Sequence, residues 1–259
     1  MVRKPYEVTA REIQDRVEEV REPGYTILEG SIPKDIVEAV NQAFSPIWDA
    51  HQDAIRTDPN RGPMRHYIPL PYDVPFYDSA IHVNPDLIAI VKTILGEDAQ
   101  LTRYATDTPA RGSVHQDWHG DVDVLFPEEP EYVPPPAVIT VNSPLVDVNE
   151  ENGPLEVADG THRLPIQTAK EQIERGEISG KPLCMKVGDI LIRDPRCVHR
   201  GAPNNTDTPR PVAAVVFQRK WYRIHPHHRR FPLHLYGRLS EEEQQLLQGI
   251  VEPRSAERK

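Results

Sequence analysis

Two stretches of this sequence carry histidine and carboxylate residues at spacings that suit a metal ion. In the first, His115-Gln116-Asp117 places an imidazole and a carboxylate two residues apart. On an extended strand, side chains two residues apart point to the same side, so His115 and Asp117 would converge on one point. The second stretch contains His199. Together with His199, the pair would form a two-histidine, one-carboxylate triad, which leaves three positions open on an iron ion. A short His-x-Asp pattern also occurs by chance, and its structural alternative is a surface histidine hydrogen-bonded to a carboxylate.

Three further polar residues are candidates for the same site. His119 and Asp121 follow directly after the first stretch, so they would orient the metal ligands or contact substrate. Their structural alternative is a solvated loop. Tyr67 lies in residues 65–77, which are rich in aromatic residues and are predicted to cover a substrate.

The elements that must position these residues change in character along the chain. Helical patterns dominate the first 98 residues, with a capping box at Thr9 to Glu12, whereas residues 46–83 are rich in proline and are predicted to be irregular. Short strands and turns follow over residues 99–222, and a second capping box at Ser240 to Glu243 begins a final helix. The pattern predicts one domain: a helical preamble (1–98), a jelly-roll core with helices on one face (99–222), and a C-terminal tail and helix (223–259).

Composition narrows the class of protein. The net charge of −10 disfavours a general nucleic-acid or anionic-membrane binder, so neither partner is expected. The two cysteines, Cys184 and Cys197, favour reduced thiols over a disulfide framework. With no apolar run approaching the roughly 18 residues of a membrane span, a soluble cytoplasmic protein is expected, as a monomer or homodimer.

Taken together and in order, five segments resemble the phytanoyl-CoA hydroxylase-like family of Fe(II)/2-oxoglutarate dioxygenases. The segments are His115-Gln116-Asp117-Trp118-His119, Asn152-Gly153-Pro154-Leu155, Asp159-Gly160-Thr161-His162-Arg163, His199-Arg200-Gly201 and Arg210. Any one of them alone would be weak, because short motifs recur by chance. The resemblance implies a mainly β protein with flanking helices, folded as a double-stranded β-helix of the cupin-like, jelly-roll kind.

The resemblance also implies a cofactor and a co-substrate. Fe(II) would be bound by His115, Asp117 and His199, and 2-oxoglutarate would be consumed together with O2. Arg210 is the candidate for the distal carboxylate of 2-oxoglutarate, because a planar guanidinium can make two parallel charge-assisted hydrogen bonds. Further co-substrate contacts are expected among four residues: Thr102, Tyr104, Asn142 and Gln116. Many members of the wider superfamily have a hydroxyl residue two positions after this arginine, whereas this chain has Val212.

The leading functional interpretation is therefore an oxygenase that hydroxylates, or otherwise oxidises, an unactivated C–H bond of a small molecule in specialised-metabolite biosynthesis. The substrate class is an analogy, because function depends on the site and not on the fold. Two alternatives remain open. One is a non-catalytic metabolite-binding or sensor protein on the same fold, and the other is a cupin-type metal-dependent isomerase or hydrolase.

Overall fold

The described part of the chain is rich in helices up to residue 95 and rich in strands from residue 100 to residue 218, and its strands form two β-sheets. The computed structural model describes residues 9–52, 61–122, 124–126, 128–129, 131–222 and 229–253. Within these ranges the α-helices are α1 (Ala10–Arg21), α2 (Lys34–His51), α3 (Ser79–His82), α4 (Pro85–Leu95), α5 (Ile166–Glu174), α6 (Leu233–Tyr236) and α7 (Glu241–Leu247). Both predicted capping boxes are confirmed, at the start of α1 and of α7. No helix in the described residues is long and apolar enough to cross a membrane.

Two antiparallel sheets form the β part of the molecule. The strands are β1 (Tyr25–Leu28), β2 (Arg65–Pro69), β3 (Gln100–Pro109), β4 (Val138–Pro144), β5 (Leu155–Ala158), β6 (Gly180–Leu183), β7 (Ile190–Arg193), β8 (His199–Gly201) and β9 (Val212–Gln218). The larger sheet has the order β1-β7-β4-β9-β3-β2, and the smaller sheet has the order β6-β5-β8. Residues from both sheets line one cavity, so the predicted jelly roll with flanking helices is confirmed.

The larger sheet separates a hydrophobic core from this cavity. On β4, Ile139 and Val141 belong to the core that the helices complete, whereas Thr140 and Asn142 line the cavity. This follows from the alternation of side chains along a strand. The helices cover the apolar face of the sheet, which leaves its polar face for chemistry.

The N-terminal region contributes more to the sheet than its helical pattern predicts. β1 pairs with β7 and β2 pairs with β3, so both outer strands come from residues that precede residue 99. The prediction that residues 46–83 are irregular is wrong for half of the described residues in that range, because α2 continues to His51 and β2 and α3 follow. Residues 53–60 of that range lie outside the described residues. β2 gains its backbone hydrogen bonds from β3, a distant partner that local sequence does not reveal.

Candidate metal and co-substrate site

The segment that follows Val114 runs along the free edge of β8. The backbone N–H of Gln116 donates to the Gly201 carbonyl at 3.1 Å, and the Gly201 N–H donates to the Gln116 side-chain oxygen at 3.0 Å. Further on, His119 and His199 exchange both backbone hydrogen bonds, at 3.0 and 2.9 Å. Asp121 then donates its N–H to the Pro195 carbonyl at 2.8 Å. The two histidines are thus fixed directly opposite each other by main-chain contacts.

A bulge in this segment decides which side chains face inward. Gln116 pairs with Gly201 and His119 pairs with His199, so the segment uses three residue steps where β8 uses two. The extra residue changes the parity of the strand, as a β-bulge does. Arg200, opposite the bulge, points away from the cavity and lies 4.4 Å from the Trp118 ring.

His119, Asp121 and His199 form the group in the described residues that could hold a metal ion. Their candidate ligand atoms all lie within 4.8 Å of one another. One carboxylate oxygen of Asp121 is 3.5 Å from Nε2 of His199, and the other is 3.9 Å from Nε2 of His119. Two imidazoles and one carboxylate on one side are the donor set of a non-heme Fe(II) site.

The two imidazoles are oriented for metal binding by the same local contact. Nδ1 of His119 donates to the Asp117 carbonyl, and Nδ1 of His199 donates to the Cys197 carbonyl, both at 2.8 Å. A carbonyl oxygen can only accept, so the proton is on Nδ1 and each Nε2 presents a lone pair. Metal-bound histidines usually hydrogen-bond through the other ring nitrogen in this way, which fixes the tautomer and the ring.

The charge states also suit a metal. Burial, followed by the nearby His199, lowers the pKa of the His119 imidazole, so it is neutral at pH 7. For Asp121, removal from water acts to raise the pKa, but the positive charge of Arg193 acts in the opposite direction, and the pKa lies well below its ordinary value. A neutral imidazole and an ionised carboxylate are the forms that bind metal.

His115 and Asp117, the predicted pair, are not brought to His199. Both are exposed. Nε2 of His115 lies 3.8 Å from a carboxylate oxygen of Glu156, and Asp117 contributes its backbone carbonyl to His119. The structure therefore corrects the position of the pair by four residues, from His115 and Asp117 to His119 and Asp121. The prediction applied strand parity within 114–118, and the bulge after Gln116 breaks that parity.

Arg193 is a functional candidate that the sequence reasoning missed. Its Nη2 donates to the Asp121 carboxylate at 2.7 Å, and its Nε donates to the Asn142 side-chain oxygen at 3.2 Å. The side chain is buried at the end of β7, where it faces the cavity. The sequence does contain a signal for it, because Arg193 ends an otherwise apolar strand and its side chain lies on the same side of that strand as Leu191.

We expect Arg193→Gln to weaken Fe(II) binding by about 10- to 100-fold, the usual cost of removing a group that orients a metal ligand. The carboxylate of Asp121 would lose the charge-assisted hydrogen bond that orients it. Anaerobic Fe(II) titration measures the effect. Arg193→Lys, which keeps the charge, should lie between the variant and the wild type, and wild-type affinity in Arg193→Gln would show that Asp121 needs no such support.

A cavity of about 350 Å³ lies between the sheets and contains this group. That volume falls in the range of about 300–1,000 Å³ typical of small-molecule sites. Of the other predicted site residues, Gln116, Asn142, Tyr67 and Arg210 line it. The cavity thus brings together most of the candidate co-substrate and substrate contacts.

Arg210 is held as a buried cation beside the cavity. Its Nη2 donates to the Gly153 carbonyl at 2.6 Å, whereas its Nε meets no hydrogen-bond acceptor in the described residues. Burial lowers the pKa of the guanidinium to about 10, and the nearby Asp107 carboxylate acts in the opposite direction. The group therefore stays charged at neutral pH, and it has N–H groups left to bind an anion.

Thr102 and Tyr104 do not reach the cavity, which corrects their prediction as co-substrate contacts. The Thr102 hydroxyl donates to the Val216 carbonyl at 3.2 Å. Tyr104 packs behind the sheet, with its ring centroid 4.5 Å from that of His82. The register of β3 shifts between Leu101 and Arg103, and beyond this shift the odd-numbered Arg103 and Asp107 face the cavity.

Comparisons with known proteins identify the family of this chain and agree with its fold. The family model described as phytanoyl-CoA dioxygenase (PhyH) matches residues 20–212, which confirms the resemblance found in the sequence. The non-heme α-ketoglutarate-dependent carbocyclase SnoK from nogalamycin biosynthesis aligns with a TM-score of 0.64 at 17% identity, over 90% of this chain and 92% of its own. The epimerase SnoN from the same biosynthesis aligns with a TM-score of 0.61 at 20% identity, over 82% of this chain and 84% of its own. HygX from Streptomyces hygroscopicus was solved with nickel, 2-oxoglutarate and hygromycin B. It aligns with a TM-score of 0.60 at 15% identity, over 83% of this chain and 89% of its own.

Proposed function

Because the chain belongs to the phytanoyl-CoA dioxygenase (PhyH) family, we propose that it hydroxylates an unactivated C–H bond of a small-molecule metabolite in specialised-metabolite biosynthesis. As a member it is an Fe(II)- and 2-oxoglutarate-dependent oxygenase. The observation that carries the proposal is the convergence of His119, Asp121 and His199 in a cavity that also contains Arg210.

In this proposal His119, Asp121 and His199 hold the iron. The fit rests on the two free Nε2 atoms and on a carboxylate kept ionised by Arg193. Three protein ligands on one side leave three positions for other molecules. When bound, the iron and 2-oxoglutarate supply the oxidising chemistry with O2, which consumes the co-substrate to succinate and carbon dioxide. The protein supplies binding, orientation and exclusion of water.

Arg210 binds the distal carboxylate of 2-oxoglutarate in this proposal. Its guanidinium is buried and fixed by the Gly153 carbonyl, so little side-chain freedom is lost on binding. Gly153 has φ of +88°, and a Cβ there would lie 2.6 Å from the Ala202 carbonyl oxygen, so only glycine fits this turn. The turn therefore helps to position the arginine, while Gln116 and Asn142 complete the wall.

The substrate class is supported by the solved structures that share the fold. SnoN and SnoK are enzymes of nogalamycin biosynthesis, and HygX was solved with hygromycin B. These names also show that one fold supports epimerisation and ring closure. A protein that only sensed metabolites would not need an open metal site beside a buried arginine, and a cupin-type isomerase or hydrolase would not need Arg210.

Product analysis tests the proposal. The enzyme is supplied with Fe(II), 2-oxoglutarate and O2 and is screened for metabolites that stimulate succinate formation. The masses of the products are then measured by mass spectrometry. We expect a product heavier than the substrate by one oxygen atom, with one succinate per turnover. Loss of two hydrogens, or an isomer of unchanged mass, would replace hydroxylation by ring closure, desaturation or epimerisation. A bound metabolite with no 2-oxoglutarate consumption would indicate the sensor alternative.

A further inference from the structure

The cavity carries more positive charge than the metal and co-substrate can use. Among the residues that the structure describes, four arginines line it together with two carboxylates: Arg61, Arg103, Arg193 and Arg210, with Asp107 and Asp121. Four positive and two negative charges leave an excess of two. Fe(II) and 2-oxoglutarate carry opposite double charges, so their binding does not change this excess. A partly desolvated site with uncompensated cations attracts an anion.

Three of the four arginines already have a carboxylate or an assigned ligand. Arg61 is 3.3 Å from Asp107, Arg193 is 2.7 Å from Asp121, and Arg210 is assigned to 2-oxoglutarate. Arg103 differs, because no carboxylate lies within ion-pair distance of it in the parts of the chain that the structure describes. Its guanidinium is half-buried on the cavity wall, so this charge is available to a ligand.

The backbone of Arg103 lies well along the sheet from that of Arg210. Arg103 lies opposite Val216 on β9, six residues beyond Arg210. At about 3.3 Å per residue of extended chain, the two backbone positions are roughly 20 Å apart. The two arginines therefore enter the cavity from different parts of its wall.

Arg103 does lie in line with the metal side of the cavity. One residue from each of four neighbouring strands forms a row across the sheet: Arg193 on β7, Thr140 on β4, Val216 on β9 and Arg103 on β3. Arg193, at one end of this row, contacts Asp121. Three strand spacings of about 4.8 Å separate Arg193 from Arg103, or roughly 14 Å between backbones. A substrate held at Arg103 would span the cavity floor toward the iron site.

Tyr67 adds a hydrogen-bond donor to the cavity wall, with its backbone opposite Asp107, four residues along β3 from Arg103. Its hydroxyl oxygen is buried and finds no acceptor for its proton among the described residues, and its ring lies 4.4 Å from the Arg61 guanidinium. Burial raises the pKa of this phenol, against the opposing effect of Arg103, so it stays protonated. An anion at Arg103 would supply the acceptor that the hydroxyl lacks.

From this arrangement we propose that the primary substrate carries a carboxylate or phosphate group and that Arg103, with Tyr67, binds it. The inference rests on the proposed function for the role of the cavity. It adds that substrate is anchored by its charge at Arg103, with the oxidised C–H bond directed toward His119, Asp121 and His199. A guanidinium can meet either anion through two parallel hydrogen bonds.

Small probes test the anion site without knowledge of the substrate. Phenylacetate, phenyl phosphate and neutral phenylacetamide are titrated anaerobically into Fe(II)-loaded protein saturated with 2-oxoglutarate, in 0.1 M chloride. We expect at least one anion to bind about 10- to 100-fold more tightly than the amide, as charged hydrogen bonds do. Arg103→Met should remove that preference, whereas Arg103→Lys should retain part of it. Whichever probe binds more tightly identifies the anion.

Controls separate this proposal from its alternatives. Arg111→Met is the matched variant, because Arg111 is exposed, is paired with Asp207 and does not line the cavity, so its titrations should equal those of the wild type. Equal binding of amide and anions, or an anion preference that survives Arg103→Met, would overturn the proposal, and the second result would place the anion at the metal. Weaker 2-oxoglutarate binding in Arg103→Met, with the preference for anions unchanged, would also overturn it by assigning Arg103 to the co-substrate. Failure to consume 2-oxoglutarate with any metabolite would contradict the proposed function but leave this binding result intact.

Discussion

Asp121→Ala and His119→Ala should each lower Fe(II) affinity and 2-oxoglutarate turnover by more than about 100-fold, beyond the 10- to 100-fold typical of groups that only orient ligands. Asp121 is the only carboxylate in the candidate metal group, and each histidine presents a lone pair to the same point. Each substitution therefore removes a ligand that no other side chain of the described ranges is placed to replace. Anaerobic Fe(II) titration and succinate release are the measurements.

The chain supplies matched controls for this prediction four residues earlier. His115→Ala removes only a 3.8 Å contact with Glu156, and Asp117→Ala keeps the backbone carbonyl that orients His119. Both variants should bind iron and turn over like the wild type. If Asp117→Ala lost iron while Asp121→Ala kept it, the triad would be His115, Asp117 and His199, and the bulge would be misplaced.

Arg210→Met should raise the apparent KM for 2-oxoglutarate by tens- to thousands-fold, with a far smaller effect on the primary substrate. Leaving a buried carboxylate without its charged partner costs about 2–5 kcal/mol, which converts to that range. Steady-state titration of 2-oxoglutarate at saturating Fe(II) measures the change.

Arg210 also lies among buried charges, so folding must be checked beside the kinetics. Asp107, whose side chain is 3.0 Å from Arg65, is one of its neighbours. Arg210→Lys keeps the positive charge near Asp107 but loses the planar fork, and it should show an intermediate KM. The exposed Arg111→Met is the control. An unchanged KM in folded Arg210→Met would move the role to another cavity arginine, with Arg103 first.

Much of the site could be predicted from the sequence because ligand type is a property of side-chain chemistry. The two-histidine, one-carboxylate set, His199 and the spacing from His199 to Arg210 are all visible in the primary structure. The capping boxes are equally local, since their hydrogen bonds join residues three apart. These features need no knowledge of distant partners.

In residues 115–121, the local sequence does not show which histidine and aspartate face the cavity. His115, Asp117, His119 and Asp121 have one parity on a regular strand, so the sequence offers two equivalent His-x-Asp pairs. Only the pairing with β8 chooses between them, because the extra residue after Gln116 turns the later pair inward. A bulge is set by the partner strand as much as by its own residues.

The family, the jelly-roll class and the kinds of atoms in the candidate metal group can all be predicted from the primary structure. Which residues supply those atoms, and what surrounds them, depends on contacts between distant parts of the chain. Thr102 and Tyr104 lie away from the cavity because the register of β3 shifts at its start. Arg193 reaches Asp121 because β7 lies across the cavity from the segment beside β8. Such contacts join residues far apart in the chain, and a side chain's direction there depends on cross-strand register, which composition and periodicity do not encode.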